Sequence, residues 1–200
     1  MIISKIAITG GPCAGKTTAM QHIKNHLTEK EISVIIVPET ATELINAGLS
    51  PAKTGQFEFQ KNLLHLHMQK EKIYERAASL YKEDTVIIFD RGALDGKAYI
   101  ENDEFNKILD EYGLSEESVL KSYDAVIFLE SSAKDFPEYY TVSNNSARSE
   151  SADEASKISD RTLEAWKNHN NLIIIRNYSS FEEKLDCLIS EIDKVITKNH

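Results

Sequence analysis

The chain has 200 residues, 41% hydrophobic and 28% charged, a composition that builds a globular core and not a disordered polymer. Its 23 Lys and Arg stand against 32 Asp and Glu, and the net charge of -9 argues against a general nucleic-acid or polybasic membrane binder, though not against a small cationic pocket. No apolar run approaches ~18 residues, the opening Met1-Ile-Ile-Ser-Lys carries no secretory signal, and Cys13 and Cys187 make no disulfide framework, so the expected setting is a reducing cytoplasm without membrane attachment.

The first expected element is a strand at residues 2–9 (IISKIAIT). A helix starting near Lys16 follows, with Met20, Ile23 and Leu27 on one face. The second strand is 33–37 (SVIIV). After it, Leu44 and Ile45 belong to a short helix that stops at Gly48, with Pro51 just beyond. Residues 56–81 read as one long helix with Phe59, Leu63, Leu66, Ile73, Ala77 and Leu80 as core contacts. The third strand is 85–89 (TVIIF). Phe105, Ile108, Leu109 and Tyr112 mark a further helix, ended by Gly113, before the fourth strand at 125–129 (AVIFL).

Residues 131–150 are polar and tyrosine-containing, without periodicity, and a loop of that length in a compact domain is read as a lid or a disordered segment. A helix near 155–169 leads to the fifth strand, 172–175 (LIII). The last helix opens on Ser180-Phe-Glu-Glu183, a capping-box pattern, and is expected to bury Phe181, Leu185, Leu188, Ile192 and Val195. Runs two to five are nearly continuous in apolar residues, which suits strands covered on both faces of a parallel sheet. The alternation predicts a three-layer α/β fold with a five-stranded parallel sheet, in a single domain over 1–200 carrying a lid at about 131–150.

The segment Gly10-Gly11-Pro12-Cys13-Ala14-Gly15-Lys16-Thr17 fits G-x-x-x-x-G-K-[ST] at every fixed position, between a strand and a helix. Glycines let such a loop curl until several backbone N–H groups face a polyphosphate, and the helix N-terminus adds partial positive charge. Lys16 brings a full charge to the β- and γ-phosphates. The Thr17 hydroxyl suits a Mg²⁺ shell that keeps several waters. Thr18 completes the expected nucleotide-binding run.

Two acids stand at expected strand ends, where ligands of open parallel sheets collect. Asp90, in Phe89-Asp90-Arg91-Gly92, is placed to reach Mg²⁺, and Arg91 to face phosphate oxygens. A carboxylate that only caps the next turn is the other reading. Glu39 lies across the cleft from the γ-phosphate. It is either the base that accepts a proton from an acceptor hydroxyl or a first-turn helix acid. His65 and His67 are two apart and do not share a helix face, which argues against a metal site. Trp166 reads as packing.

The phosphate loop with Asp90-Arg91-Gly92 resembles the nucleoside and nucleotide kinase branch of phosphate-loop proteins, and so implies a P-loop NTPase fold. Phe57-Glu-Phe59-Gln60 resembles the deoxynucleoside kinase segment whose glutamine reads the base, and Glu39 resembles the acid those enzymes use as general base. The series Asn144-Asn145-Ser-Ala-Arg148-Ser-Glu150, Glu154-Ala155, Ile158-Ser159-Asp160-Arg161 and Trp166-Lys-Asn-His169 resembles the lid and following helix of the NadR-like NTPase family, which includes a ribosylnicotinamide kinase domain. The resemblance covers about residues 4–177. The chain has Asp90-Arg91-Gly92 where deoxynucleoside kinases have Glu-Arg-Ser.

These readings point to an ATP- or GTP-using, Mg²⁺-dependent kinase of a nucleoside or similar small hydroxyl metabolite. Lys16 and the loop hold the donor, and Thr17 and Asp90 the metal. Glu39 is the candidate base. Arg91, Arg148 and Arg161 are candidates to neutralise the transferring group. Glu39, Gln60, Arg91 and Asp95 are expected on the acceptor side, with surface or capping roles as the alternative for Gln60 and Asp95. A nucleotide-binding switch with slow hydrolysis is the competing reading. The sequence holds no N-K-x-D series, which favours ATP or loose base selection, and it does not give the oligomeric state.

Overall fold

The computed structural model describes residues 2–12, 14–131 and 152–199. Five strands, β1 (Ile3–Gly10), β2 (Ser33–Val37), β3 (Thr85–Asp90), β4 (Ala125–Leu129) and β5 (Leu172–Ile175), form one all-parallel sheet in the order β2-β3-β1-β4-β5. Consecutive residues of a strand point to opposite faces. On one face Ile6, Ile8, Val86 and Ile88 pack against α1 (Lys16–Glu29) and α8 (Phe181–Asn199). On the other, Ala7, Ile87 and Phe89 meet α4 (Gln56–Ala78), α5 (Asn102–Glu111) and α7 (Ala152–Trp166). The architecture is the three-layer α/β fold of P-loop NTPases. Short helices α2 (Thr40–Asn46), α3 (Pro51–Thr54) and α6 (Glu116–Leu120) and a 3-10 turn at Ala93–Ala98 complete it. Among the described residues no helix is long and apolar enough to cross a membrane.

The expectation that strands two to five are covered on both faces holds for β3 and β4 and fails at the margins. The strand order leaves β2 and β5 with one neighbour each; β2 is half-buried for most of its length, and Ile174 of β5 is exposed.

Helix α4 departs further from its sequence pattern. Ile73 and Leu80, expected in the core, are 62% and 77% exposed. Phe59 is buried as expected, but the rest of the buried face carries Gln60, Leu64, His67, Lys70 and Glu71. His67, Lys70 and Glu71 can take that face because partners await them. His67 Nε2 lies 3.0 Å from Tyr123 Oη, and the Tyr123 hydroxyl donates to Glu71. Lys5 donates to Glu71 at 3.2 Å, while Lys70 donates to the Pro38 carbonyl at 2.6 Å and to Glu43 at 2.8 Å. Burial alone would raise the Glu71 pKa, but the His67 hydrogen bond and the charges of His67 and Lys5 hold it below its ordinary value. This seam fixes the middle of α4 and so sets where its N-terminal turns overhang the strand ends.

On α8 the Ser180 hydroxyl accepts from Glu183 N at 3.1 Å, as the capping pattern predicts. Leu185, Leu188, Ile192 and Val195 are buried. Phe181 is not; it is 42% exposed and lies over the phosphate loop, where a Cβ on Gly15 would come within 2.5 Å of its ring.

Candidate functional site

The loop after β1 and the start of α1 make one wall of a cleft of ≈ 970 Å³ at the carboxyl ends of the strands. Gly15 caps α1 with φ +82°, a left-handed conformation that glycine adopts without strain. The first turn of α1 carries no acidic residue, so its N-terminal partial charge is not cancelled there. Ala14, Gly15, Lys16, Thr17 and Thr18 all line the cleft. Gly10 and Gly11 present their carbonyls to Lys16 Nζ at 3.5 and 3.4 Å. Cys13 lies outside the described residues.

Lys16 is 8% exposed. Burial, aided by the nearby Arg91 charge, lowers its pKa to about 8 against the opposing pull of Asp90, Glu39 and Asp95. A polyphosphate would reverse that balance by supplying the anion the ammonium lacks.

The register pairs Ile8 with Asp90, which sets the Asp90 carboxylate beside the loop. Asp90 Oδ1 is buried and has no hydrogen-bond partner. Burial raises its pKa and Glu39 and Asp95 add to the rise, against Lys16 and Arg91. A carboxylate oxygen in that state is what a cation would satisfy. Among the described residues no three His, Cys, Asp or Glu side chains cluster to hold a metal by themselves. Asp90 with the Thr17 hydroxyl therefore fits Mg²⁺, which takes few protein ligands and keeps water and phosphate in its shell.

Arg91 follows with φ +74°, an uncommon backbone conformation for a residue with a side chain. Its N–H bonds Ile8 O at 3.0 Å, and its guanidinium is gripped on several sides. Nε donates to Glu39; Nη1 donates to Gly10 O and to Asp95 Oδ2, both at 3.2 Å. Burial would lower the Arg91 pKa, but Glu39, Tyr99, Asp95 and Asp90 together outweigh it and the group stays a cation. Burial would likewise raise Glu39, yet Arg91, the Thr42 hydroxyl and Lys16 hold it at about 2. Glu39 is thus ionised throughout the physiological range, at the N-terminus of α2, where its carboxylate also accepts from Thr42 at 2.6 Å.

Asp95 borders the cleft, but its oxygens are engaged in the wall. Oδ2 accepts from Thr9 at 2.6 Å and from Arg91; Oδ1 accepts from the Trp166 indole at 2.8 Å and from Gly92 N at 3.4 Å. These contacts suit the capping alternative for Asp95 and tie its carboxylate to the Arg91 guanidinium. The same contacts account for the glycine in Asp90-Arg91-Gly92. A Cβ on Gly92 would stand 2.4 Å from the Trp166 ring, so the indole fills the space a serine would need.

Gln60 sits on the opposite wall, 3% exposed, with Oε1 buried and unpartnered. Gly96 faces it so closely that a Cβ there would lie 2.7 Å from Oε1. Arg161 does not enter the cleft; it donates to Ile100 O at 2.7 Å on the outside of the 3-10 turn. Arg148 and the expected lid, apart from Ser131, lie outside the described residues. The sequence reading missed Thr40, His67 and Gly96, which also line the cleft. His67 was hidden because the exposed Ile73 imitates a core stripe on the helix that supplies it, whereas Thr40 and Gly96 carry no local pattern.

A family model described as an AAA domain matches residues 5–184, which takes in the phosphate loop, all of the sheet but the first two residues of β1, and the start of α8. No curated protein matches the chain.

Proposed function

The chain belongs to the AAA-domain family, and we propose that within it this chain is a Mg²⁺-dependent phosphotransferase that moves the γ-phosphoryl group of ATP or GTP to a hydroxyl of a nucleoside or similar small metabolite, akin to the NadR-like kinases. The observation that carries this reading is the second half of the cleft. Beyond the loop and the Glu39–Arg91 pair lies a pocket walled by Gln60, whose buried amide oxygen has no protein partner. A hydrolytic switch has no use for that amide, whereas an acceptor with polar edges satisfies it.

Mg²⁺, when bound, neutralises charge between the β- and γ-phosphates. Thr17 and Asp90 would hold it, and Lys16 and the loop N–H groups bind the triphosphate. Arg91 stands ready to stabilise the equatorial oxygens of a loose transition state. Arg148 is proposed for the same work. Glu39 orients the acceptor hydroxyl and takes its proton. The deciding experiment is ADP release with and without a nucleoside panel. Acceptor-stimulated turnover supports the kinase; equal basal rates with every compound defeat it.

Lys16→Ala is expected to weaken triphosphate binding by about tenfold to 150-fold, the value of a charge-assisted contact of ~1.5–3 kcal/mol, in a variant that remains folded. Because Lys16 titrates near pH 8, wild-type affinity should fall as the pH rises through 8. Binding at pH 9 should take up a proton, because phosphate favours the ammonium. Calorimetry in buffers of different ionisation enthalpy reads both effects; pH-independent binding without proton uptake contradicts the assignment.

Gln60→Ala is expected to lower acceptor kcat/KM by an amount worth ~1–3 kcal/mol, with ATP affinity unchanged. An unaltered acceptor constant in this variant removes Gln60 from recognition.

A further inference from the structure

The phosphate loop is braced from behind by a lysine that the sequence reading gave no role. Lys184, in the first turn of α8, is 4% exposed. Its Nζ donates to Glu130 O at 2.6 Å, to Asn177 Oδ1 at 3.0 Å and to Ala14 O at 3.3 Å. Glu130 and Asn177 are themselves tied together, since Asn177 N donates to Glu130 Oε2 at 3.0 Å. Asn177 Nδ2 donates to Ser131 O at 3.1 Å, and the Ser131 hydroxyl donates to the Pro12 carbonyl. The ends of β4 and β5 and the first turn of α8 thereby hold two carbonyls of the loop, those of Pro12 and Ala14.

A trans peptide is planar, with its C=O and N–H pointing in opposite directions. Fixing the Ala14 carbonyl toward Lys184 therefore fixes the Gly15 N–H away from it. Gly15 lines the cleft. Gly15 also has a backbone free enough to swing, at φ +82°, so the direction of its N–H is not set by its own side chain.

We propose that Lys184 is a positioning residue for the phosphate cradle: by holding the Ala14 carbonyl outward it turns the Gly15 N–H toward the bound triphosphate. The proposal rests on the phosphate-loop reading above and needs no assumption about the acceptor. It makes the cradle a preorganised set of donors, whose value lies in needing no reorientation when the anion arrives.

The test uses the full chain with Lys184→Met, which keeps length and loses the donors, and Lys184→Arg, which keeps a cation and donors. Mg-ATP and inorganic tripolyphosphate are the probes, in calorimetry. Lys184→Met should raise both dissociation constants about tenfold while still melting cooperatively, and Lys184→Arg should recover most of the loss. In the nucleotide-free protein labelled with ¹⁵N-glycine, the Gly15 amide resonance should move in Lys184→Met, a change that a residue tying only strands together would not produce. A folded Lys184→Met variant with wild-type affinity, or an unmoved Gly15 resonance, overturns the proposal. If Lys184→Met does not fold, Asn177→Ala and Ser131→Ala carry the test. Each should weaken tripolyphosphate binding about threefold, and wild-type affinity in both overturns it. A wild-type chain that binds neither probe defeats the functional reading, while the Gly15 resonance still decides whether Lys184 orients that peptide.

Discussion

Glu39→Gln is expected to cut acceptor phosphorylation by ~10²–10⁴-fold, as the loss of a group that takes the acceptor proton does, with nucleotide affinity unchanged. The structure sets the terms of that expectation. Glu39 is held at about 2 by Arg91, Thr42 and Lys16, so it is always ionised but only weakly basic while the Arg91 contact is intact. In a loose phosphoryl-transfer transition state the acceptor proton leaves late, and the carboxylate acts first by aiming the hydroxyl. The rate should therefore be flat with pH across the neutral range on the account of Glu39, with no limb near the ordinary carboxylate value. Glutamine keeps one oxygen for the Arg91 Nε–H and turns its amide N–H₂ toward the Thr42 hydroxyl, which can accept, so the fold should persist. Steady-state rates on a confirmed acceptor decide the matter; a Glu39→Gln variant turning over at the wild-type rate transfers the role to Asp90.

Trp166→Ala should cost ~3–5 kcal/mol of stability, the usual range for deleting a fully buried aromatic. Trp166 is 0% exposed and meets Tyr123 edge to face, with ring centroids 5.5 Å apart. Its indole N–H is also a partner of Asp95 Oδ1. The alanine variant thus opens a cavity over Gly92 and removes a donor from a buried carboxylate in one step. Trp166→Phe separates the two effects, because it fills most of the volume and lacks the N–H. Its cost should be the smaller ~1–3 kcal/mol of a deprived buried acceptor. Its turnover should fall as well, since the Asp95 carboxylate is tied to the Arg91 guanidinium. Denaturant midpoints followed by far-ultraviolet circular dichroism give the stabilities. An unchanged midpoint for Trp166→Ala contradicts the packing account.

Elements with a strong local signal were legible in the sequence. The five apolar runs became five strands with ends displaced by no more than a residue, and the phosphate-loop motif falls between the end of β1 and the start of α1, as its spacing demands. Asp90, Arg91 and Glu39 could be placed because parallel topology gathers strand ends on one side. What the sequence hid depends on contacts between distant segments. Nothing near Asp95 announces that Thr9 and Trp166 engage its oxygens, 86 and 71 residues away. Beyond Phe59, the buried face of α4 was misassigned because its satisfaction comes from Lys5, Pro38 and Tyr123, on three other segments. Phe181 has the spacing of a core residue, but the loop it covers lies at the rim of the sheet, so one side of the ring stays in water.

The polar seam beneath α4 restricts how this chain can change over generations. Removing one member, as in Glu71→Leu, takes the buried carboxylate from Lys5, the Tyr123 hydroxyl and His67 at once; Lys5 keeps Glu75 and Tyr123 keeps His67, yet deleting one partner of a buried charged network is among the costlier single substitutions. Replacing the whole set by apolar side chains of similar volume carries no such penalty and in other proteins is often neutral or stabilising. The seam is thus a valley between two stable sequences: the apolar version is reachable in one concerted step and closed to a walk of single substitutions. Drift at Ile73, on the open side of the same helix, and at Leu80, just past its end, is free of that constraint.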